Sequence, residues 1–244
     1  MNLRRAAVLR ELGLGPLWKL RQAGLAEPAV AVAGPAPSLA AAGAGETAEQ
    51  RAAAIARMDW PQLQQSVAAC RACKLCEARQ QAVLGVGDAH PDWLFIGEGP
   101  GADEDRKGEP FVGQAGKLLD AMLAAIGLDR RHKVYIANTV KCRPPGNRTP
   151  EPEEIAACWP YLSRQLELLT PRLIVALGKP AAQTLLQREV KIGAERGKRF
   201  DFQGIPFIVT YHPAYLLRNL ADKAKSWEDL CFARGLLAPG QNLQ

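Results

Sequence analysis

Short apolar runs recur along the chain, and each ends in glycine or polar residues. WLFIG (93–97), VYIAN (134–138), RLIVALG (172–178) and IPFIVT (205–210) are continuous rather than alternating. Runs of this kind suit strands buried on both faces of a sheet. Between them lie segments with helical spacing: QAGKLLDAMLAAIGL (114–128), EPEEIAACWPYLSRQLELL (151–169), residues 179–187 and residues 222–237. The second opens with acidic residues in its first turn, where the helix dipole favours them. Upstream, Thr47 is placed to cap a helix running to about Met58. Asp59 is placed to cap another, with Pro61 in its first turn, where a missing N–H costs nothing. Strands alternating with helices predict an α/β fold. The expected form is a three-layer α-β-α arrangement around a central, mainly parallel four-stranded sheet.

The pattern divides the chain. Residues 1–28 form an amphipathic N-terminal segment and residues 29–46 an Ala/Gly/Pro-rich linker with little to pack. Residues 47–66 read as a helical lead-in, 67–238 as the main domain and 239–244 as a tail. With 48% hydrophobic and 23% charged residues, the 244-residue chain has an ordinary soluble composition. No apolar run reaches the roughly 18 residues of a membrane span. The start, MNLRRAAVLRELGLG, lacks a continuous apolar core, so neither signal peptide nor anchor is expected. The expectation is a cytoplasmic monomer without membrane attachment. Thiols stay reduced there, so the six Cys point to a metal or to chemistry before disulfides. The net charge of +6 fits a polyanionic partner but is weak evidence for one.

The residues just beyond each apolar run are more informative than composition. The first run leads into GEGPGADED, the second into Asn138 and KCRPPGNRTP, the third into Gly178 and Lys179, and the fourth into YHPAYLLR. In open α/β sheets ligands bind beyond the carboxyl ends of the strands, so these segments should meet in one composite site. Gly97, Gly99 and Gly101 resemble a phosphate loop, but Asp103, Glu104 and Asp105 would repel phosphate, and no GK[ST] is present after them. The glycines instead suit close approach of a flat ligand to the backbone. His212 comes after a strand and precedes the stiff Pro213, a position from which an imidazole can stabilise a developing anion. Asn138 offers one donor and one acceptor to a planar amide edge. Phe111 suits either the core or a stacking platform. His90 and His132 fall in loops at the opposite edge. Cys70 and Cys73 form a C-x2-C clamp with Cys76 nearby, and Cys142 and Cys158 complete four ligands. Zinc and an iron–sulfur cluster both fit four thiolates. Cys231, among apolar neighbours, reads as core.

GEGPGADED, PFVGQAGKLLD, IANTVKCRPPGNRTP and HPAYLLR, with the cysteine pattern, closely resemble the family 4 uracil-DNA glycosylases over roughly residues 67–238. The resemblance implies a uracil-DNA glycosylase-like fold and a base-excision repair enzyme acting on uracil-containing DNA, single- or double-stranded. It implies a 4Fe-4S cluster held by Cys70, Cys73, Cys142 and Cys158. Phe111 resembles the ring that stacks on the flipped base, Asn138 the amide that reads the uracil edge and His212 the donor to O2. Gly99 and Gly101 belong to the base-binding loop. Glu98 is favoured for contact with base or water, and Glu104 as a second carboxylate bracing the loop or aiding water. Leu216 resembles the wedge that fills the gap left in the duplex. Arg218, Arg143 and Arg148 are expected on phosphates, within a basic set that includes Lys141, Arg196, Lys198 and Arg199. A non-catalytic iron–sulfur protein that binds nucleic acid is the alternative, and an iron–sulfur electron carrier a third.

Overall fold

The computed structural model of the chain describes residues 47–237. The expected N-terminal segment, linker and tail lie outside those residues. Helices α1 (Ala48–Ile55) and α2 (Trp60–Ala69) come first. Thr47 and Asp59 cap them as expected, each accepting from the backbone N–H three residues on, with Gln50 and Gln62 bonding back. A short α3 (Leu75–Ala78) precedes strands β1 (Val86–Gly87) and β2 (Trp93–Gly97). Next come α4 (Ala102–Lys107), α5 (Gln114–Ala125), β3 (Val134–Asn138), α6 (Pro152–Leu169), β4 (Leu173–Leu177), α7 (Lys179–Leu186) and α8 (Ile192–Glu195). The hairpin β5 (Arg199–Phe202) and β6 (Ile205–Thr210) leads to α9 (Pro213–Leu216) and α10 (Lys223–Leu236).

The sheet is larger and less uniform than the apolar runs alone indicate. It has six strands in the order β1-β3-β2-β4-β6-β5 and is mixed. The four apolar runs are its central strands and pair in parallel. The correction is at the edges, where β1 and β5 pair antiparallel. Neither is an apolar run. β1 has two residues, and β5 reads Arg-Phe-Asp-Phe with one face exposed. Antiparallel pairing needs only a tight turn, supplied for β5 by Gln203 (φ 53°) and Gly204 (φ 84°).

Alternate residues of the central strands feed two cores. Leu94, Ile96, Ile174, Ala176 and Phe207 pack with Leu162 and Leu166 of α6 and Ala181, Ala182 and Leu185 of α7. Phe95, Ile136, Val175 and Ile208 pack with Leu119 and Leu123 of α5 and Leu230 and Ala233 of α10. Helices therefore cover both faces. A third cluster joins Ile55, Leu63, Val67 and Leu75 to Val140, Cys142, Cys158 and Tyr161. It docks α1–α3 against α6 and the loop after β3. Among the described residues no helix is long and apolar enough to cross a membrane.

Candidate active site

The parallel register sets Gly97 opposite Asn138 at the carboxyl ends of β2 and β3. The backbone N–H of Gly178 donates to the Thr210 carbonyl at 2.9 Å, joining the ends of β4 and β6. The four loops thus meet in one cleft of about 930 Å³ whose lining includes Glu98, Phe111, Asn138, Lys179, His212 and Arg218. Gly99, Gly101 and Glu104 also line it. The connections after β2 and β4 run to opposite faces of the sheet, which opens a crevice between those strands.

Each candidate side chain is placed by backbone geometry. Asn138 is 2% exposed, and its side-chain oxygen has no hydrogen-bond partner in the protein. A buried acceptor left unpaired costs about 1–3 kcal/mol, so it marks a place where a ligand supplies the donor. Gly97 makes the room. A Cβ there would stand 2.5 Å from that oxygen and 2.6 Å from the Phe111 ring. Phe111 is buried, adopts φ 54° and sets its ring 5.4 Å from that of His212. For a bulky residue that φ is strained. Arg130 helps to hold it, donating to the Phe111 carbonyl at 2.8 Å while pairing with Asp120.

His212 is the N-cap of α9, and its Nδ1 accepts from the Ala214 N–H at 3.1 Å. That bond leaves the proton of the neutral ring on Nε2. Burial, reinforced by the Arg218 charge and opposed by Glu104, pushes the imidazole down to about 4. The ring is therefore a neutral donor near pH 7. Gly178 (φ 85°) lets it approach, since a Cβ there would come within 2.8 Å of the His212 Cβ.

The two carboxylates separate into different tasks. Glu98 is half-buried in the cleft, and burial raises its carboxyl above the ordinary range, with Thr149 opposing. Glu104 accepts from three backbone N–H groups, those of Gly101 (3.1 Å), Val112 (2.8 Å) and Gly113 (3.0 Å). Glu104 thus braces the loop. It clamps the first loop to the segment that carries Phe111, and its oxygens are occupied.

Several expected DNA contacts are corrected. Leu216 is 1% exposed, because α9 turns it into the protein. Its neighbour Leu217 is 41% exposed beside the cleft residue Arg218. Leu217→Ala should therefore spare the fold. Leu216→Ala should instead cost about 2–5 kcal/mol of stability and lower the melting temperature. Melting measurements on the two variants check this. Arg148 forms a two-pronged ion pair with Glu154, at 2.8 and 2.7 Å, yet lines the cleft with its side chain 37% exposed, so phosphate can still reach it. Arg196 is tied to Asp229 and Glu228. Lys141 is 1% exposed and cannot meet phosphate. Arg143 bonds Asn147 at 2.7 Å, and Arg218 is exposed. Sequence reasoning did not single out Arg130 or the stacked cleft pair Tyr211 and Tyr215 as site residues. For Arg130 no sequence signal exists, since its partner is a backbone carbonyl nineteen residues away.

A second, smaller cavity is lined by Cys70, Cys73, Cys142 and Cys158, with Arg79, Lys141 and Tyr161. All six cysteines are free thiols, and Cys231, expected in the core, is half-buried on α10. Among the described residues no group of three or more His, Cys, Asp or Glu side chains is already gathered as a metal-ion site. The chemistry around the cavity fits an anionic metal–thiolate group. Arg79 donates to the Cys142 sulfur at 2.8 Å, Arg51 to Cys70 at 3.6 Å and the Lys141 N–H to Cys158 at 3.3 Å. Burial pushes the Cys158 thiol up to about 12, with the Lys141 charge opposing.

The amino-acid sequence matches a known family. The family model described as the uracil DNA glycosylase superfamily matches residues 84–231, and the chain belongs to that superfamily. Within it the chain is similar to the type-4 uracil-DNA glycosylase of Archaeoglobus fulgidus, 47% identical over 159 residues, covering 62% of this chain and 79% of that protein. The type-4 uracil-DNA glycosylase of Pyrobaculum aerophilum is 42% identical over 188 residues, covering 73% and 94%. A type-5 uracil-DNA glycosylase of Thermus thermophilus is 33% identical over 160 residues, covering 53% and 73%.

Proposed function

We propose that the chain is a monofunctional uracil-DNA glycosylase of base excision repair. It flips uracil from DNA and hydrolyses its N-glycosidic bond, leaving an abasic site and free uracil. The observation that carries this reading is the buried, unpartnered oxygen of Asn138, flanked by the Phe111 ring and the neutral His212. Uracil N3–H supplies the missing donor, and the Asn138 NH2 donates to O4. Cytosine presents the reverse pattern and leaves both groups unpaired, which is costly.

The target base must leave the stack to be reached. Phe111 stacks on it, and His212 Nε2–H donates to O2. As the C1′–N1 bond breaks, its electron pair passes to the uracil, and the His212 donor meets the charge that develops on O2. The sugar becomes cationic at C1′, and a water oxygen adds there as its proton passes to the Glu98 carboxylate. Glu98, free of backbone partners and half-buried, is the carboxylate that holds this water. Glu104 positions the loop. Leu217 fills the gap in the duplex, and Arg218 and Arg143 meet phosphate. Purified protein incubated with uracil-containing single- and double-stranded DNA, then treated with alkali, should yield strand breaks at uracil. Intact DNA after incubation with folded, metal-loaded protein would overturn the reading. In the same assay Glu98→Gln should lower kcat by roughly 10²-fold or more, the range of a general base.

The cysteine cavity is proposed to hold a 4Fe-4S cluster through Cys70, Cys73, Cys142 and Cys158. Bound there, it would act as a structural cross-link between the N-terminal helices and the loop after β3. No redox step is needed for glycosidic hydrolysis. Cys73→Ala should lose visible absorption and iron content together with several degrees of melting temperature, measured on protein purified without oxygen. The chain's working form is proposed to be a cytoplasmic monomer.

A further inference from the structure

The base pocket and the cysteine cavity are the two ends of one short segment, Asn138–Cys142. Asn138 stands at the tip of β3, and Cys142 lines the cavity. Between them the N–H groups of Thr139 and Val140 donate to the carbonyls of Gly97 and Glu98 at 3.0 and 3.3 Å, locking the segment to the first loop. Lys141 has no surface role, being 1% exposed. Its Nζ turns back to donate to the Asn138 carbonyl at 2.7 Å, while its own N–H donates to the Cys158 sulfur at 3.3 Å. A buried ammonium needs negative charge nearby. Cys142 and Cys158 line the same cavity as Lys141 and are the groups a bound metal would make anionic.

We infer that Lys141 is a positioning residue that ties the placement of Asn138, and so recognition of the uracil edge, to occupancy of the cysteine cavity. The inference rests on the uracil-binding reading of the cleft. Metal-bound sulfurs carry negative charge and hold the ammonium. The ammonium holds the Asn138 carbonyl, and that carbonyl belongs to the residue whose side chain meets the base. Coupling of this kind is reciprocal, so uracil in the pocket must favour metal retention.

The test uses the metal-loaded full chain. Iron loss to a chelator is tracked to equilibrium by visible absorption, with and without saturating free uracil, and uracil affinity is measured by calorimetry. In the unaltered protein uracil should raise the chelator concentration at half-loss several-fold. Lys141→Met should keep its absorption in the absence of chelator, lose that uracil-dependent shift and bind free uracil about tenfold more weakly, the worth of one buried hydrogen bond. Should Lys141→Met fail to fold, Lys141→Arg is tested by the same criteria, since a planar guanidinium cannot reproduce the ammonium's place at that carbonyl. Uracil binding with no effect on iron retention overturns the inference, and so does a variant that keeps both the shift and the affinity. A protein that neither binds nor excises uracil refutes instead the reading on which the inference rests.

Discussion

His212→Ala should lower uracil excision by roughly 10²–10³-fold, the cost of one donor aimed at a developing oxyanion. The loss should fall on kcat, because the ground-state base carries little charge at O2, whereas the departing uracil carries much more. Iron absorption should be unchanged, since the ring lies in the cleft and not among the residues lining the cysteine cavity. The backbone explains why the ring is effective. Its Nδ1 is occupied by the Ala214 N–H, and Gly178 packs against its Cβ, so Nε2–H is aimed before substrate arrives. The pH dependence has a definite sign. The unfolded histidine takes a proton near pH 6.5, whereas the folded one, held down to about 4, does not. Between those values the unfolded chain binds more protons, so this contribution to stability is complete above pH 6.5 and is lost as pH falls toward 4. The melting temperature of His212→Ala should accordingly fall less over that window than that of the unaltered protein. The rate should show no inflection near pH 6.5 from this group. An inflection there that vanishes in His212→Ala would show a charged imidazole and overturn the neutral-donor assignment.

Asn138→Ala should reduce kcat/KM for uracil by roughly 10²–10³-fold without lowering the melting temperature. The first part rests on two polar positions on the uracil edge that lose their partners, each worth about 1–3 kcal/mol when buried. The second rests on the unusual state of Asn138. Its side-chain oxygen is buried and bonds nothing in the protein, so the fold loses no hydrogen bond to that atom when it is removed. Function and stability are set against one another here, as expected of a site that keeps a polar group unmet until ligand arrives. The bonds that hold the position in place, from Lys141 Nζ and along β3, involve the main chain and survive the substitution. Excision assays paired with thermal melts of the metal-free and metal-loaded forms check both halves. A large drop in melting temperature would mean that the side chain has a structural partner within the fold.

The central sheet was legible because its strands are buried on both faces, and continuous apolar runs leave few alternatives. The edges were not, because β1 is two residues long and β5 alternates Arg, Phe, Asp and Phe. The candidate site was legible in outline for a related reason. Parallel strands deliver their carboxyl ends to one side, so residues just beyond the runs must gather there, as Glu98, Asn138, Gly178 and His212 do. The side chain that faces outward after His212 was not legible. Leu216 and Leu217 are chemically alike and adjacent, and only the rotation of α9 makes the first buried and the second exposed.

Charge shows the same division. Counting Lys and Arg could not tell a phosphate contact from an internal strut, and Arg196 and Lys141 are struts because folding brings Asp229 and the Asn138 carbonyl against them. The order of amino acids suffices for the α/β class, the succession of loops around the cleft and the residue types available for base recognition. All of these arise from periodicity and from chemistry local to each segment. Folding in three dimensions settles which acceptor is left unpaired, which leucine is exposed and that one lysine bridges two sites. Those outcomes depend on what distant segments place beside a given atom, and that information is not carried by any single stretch of chain.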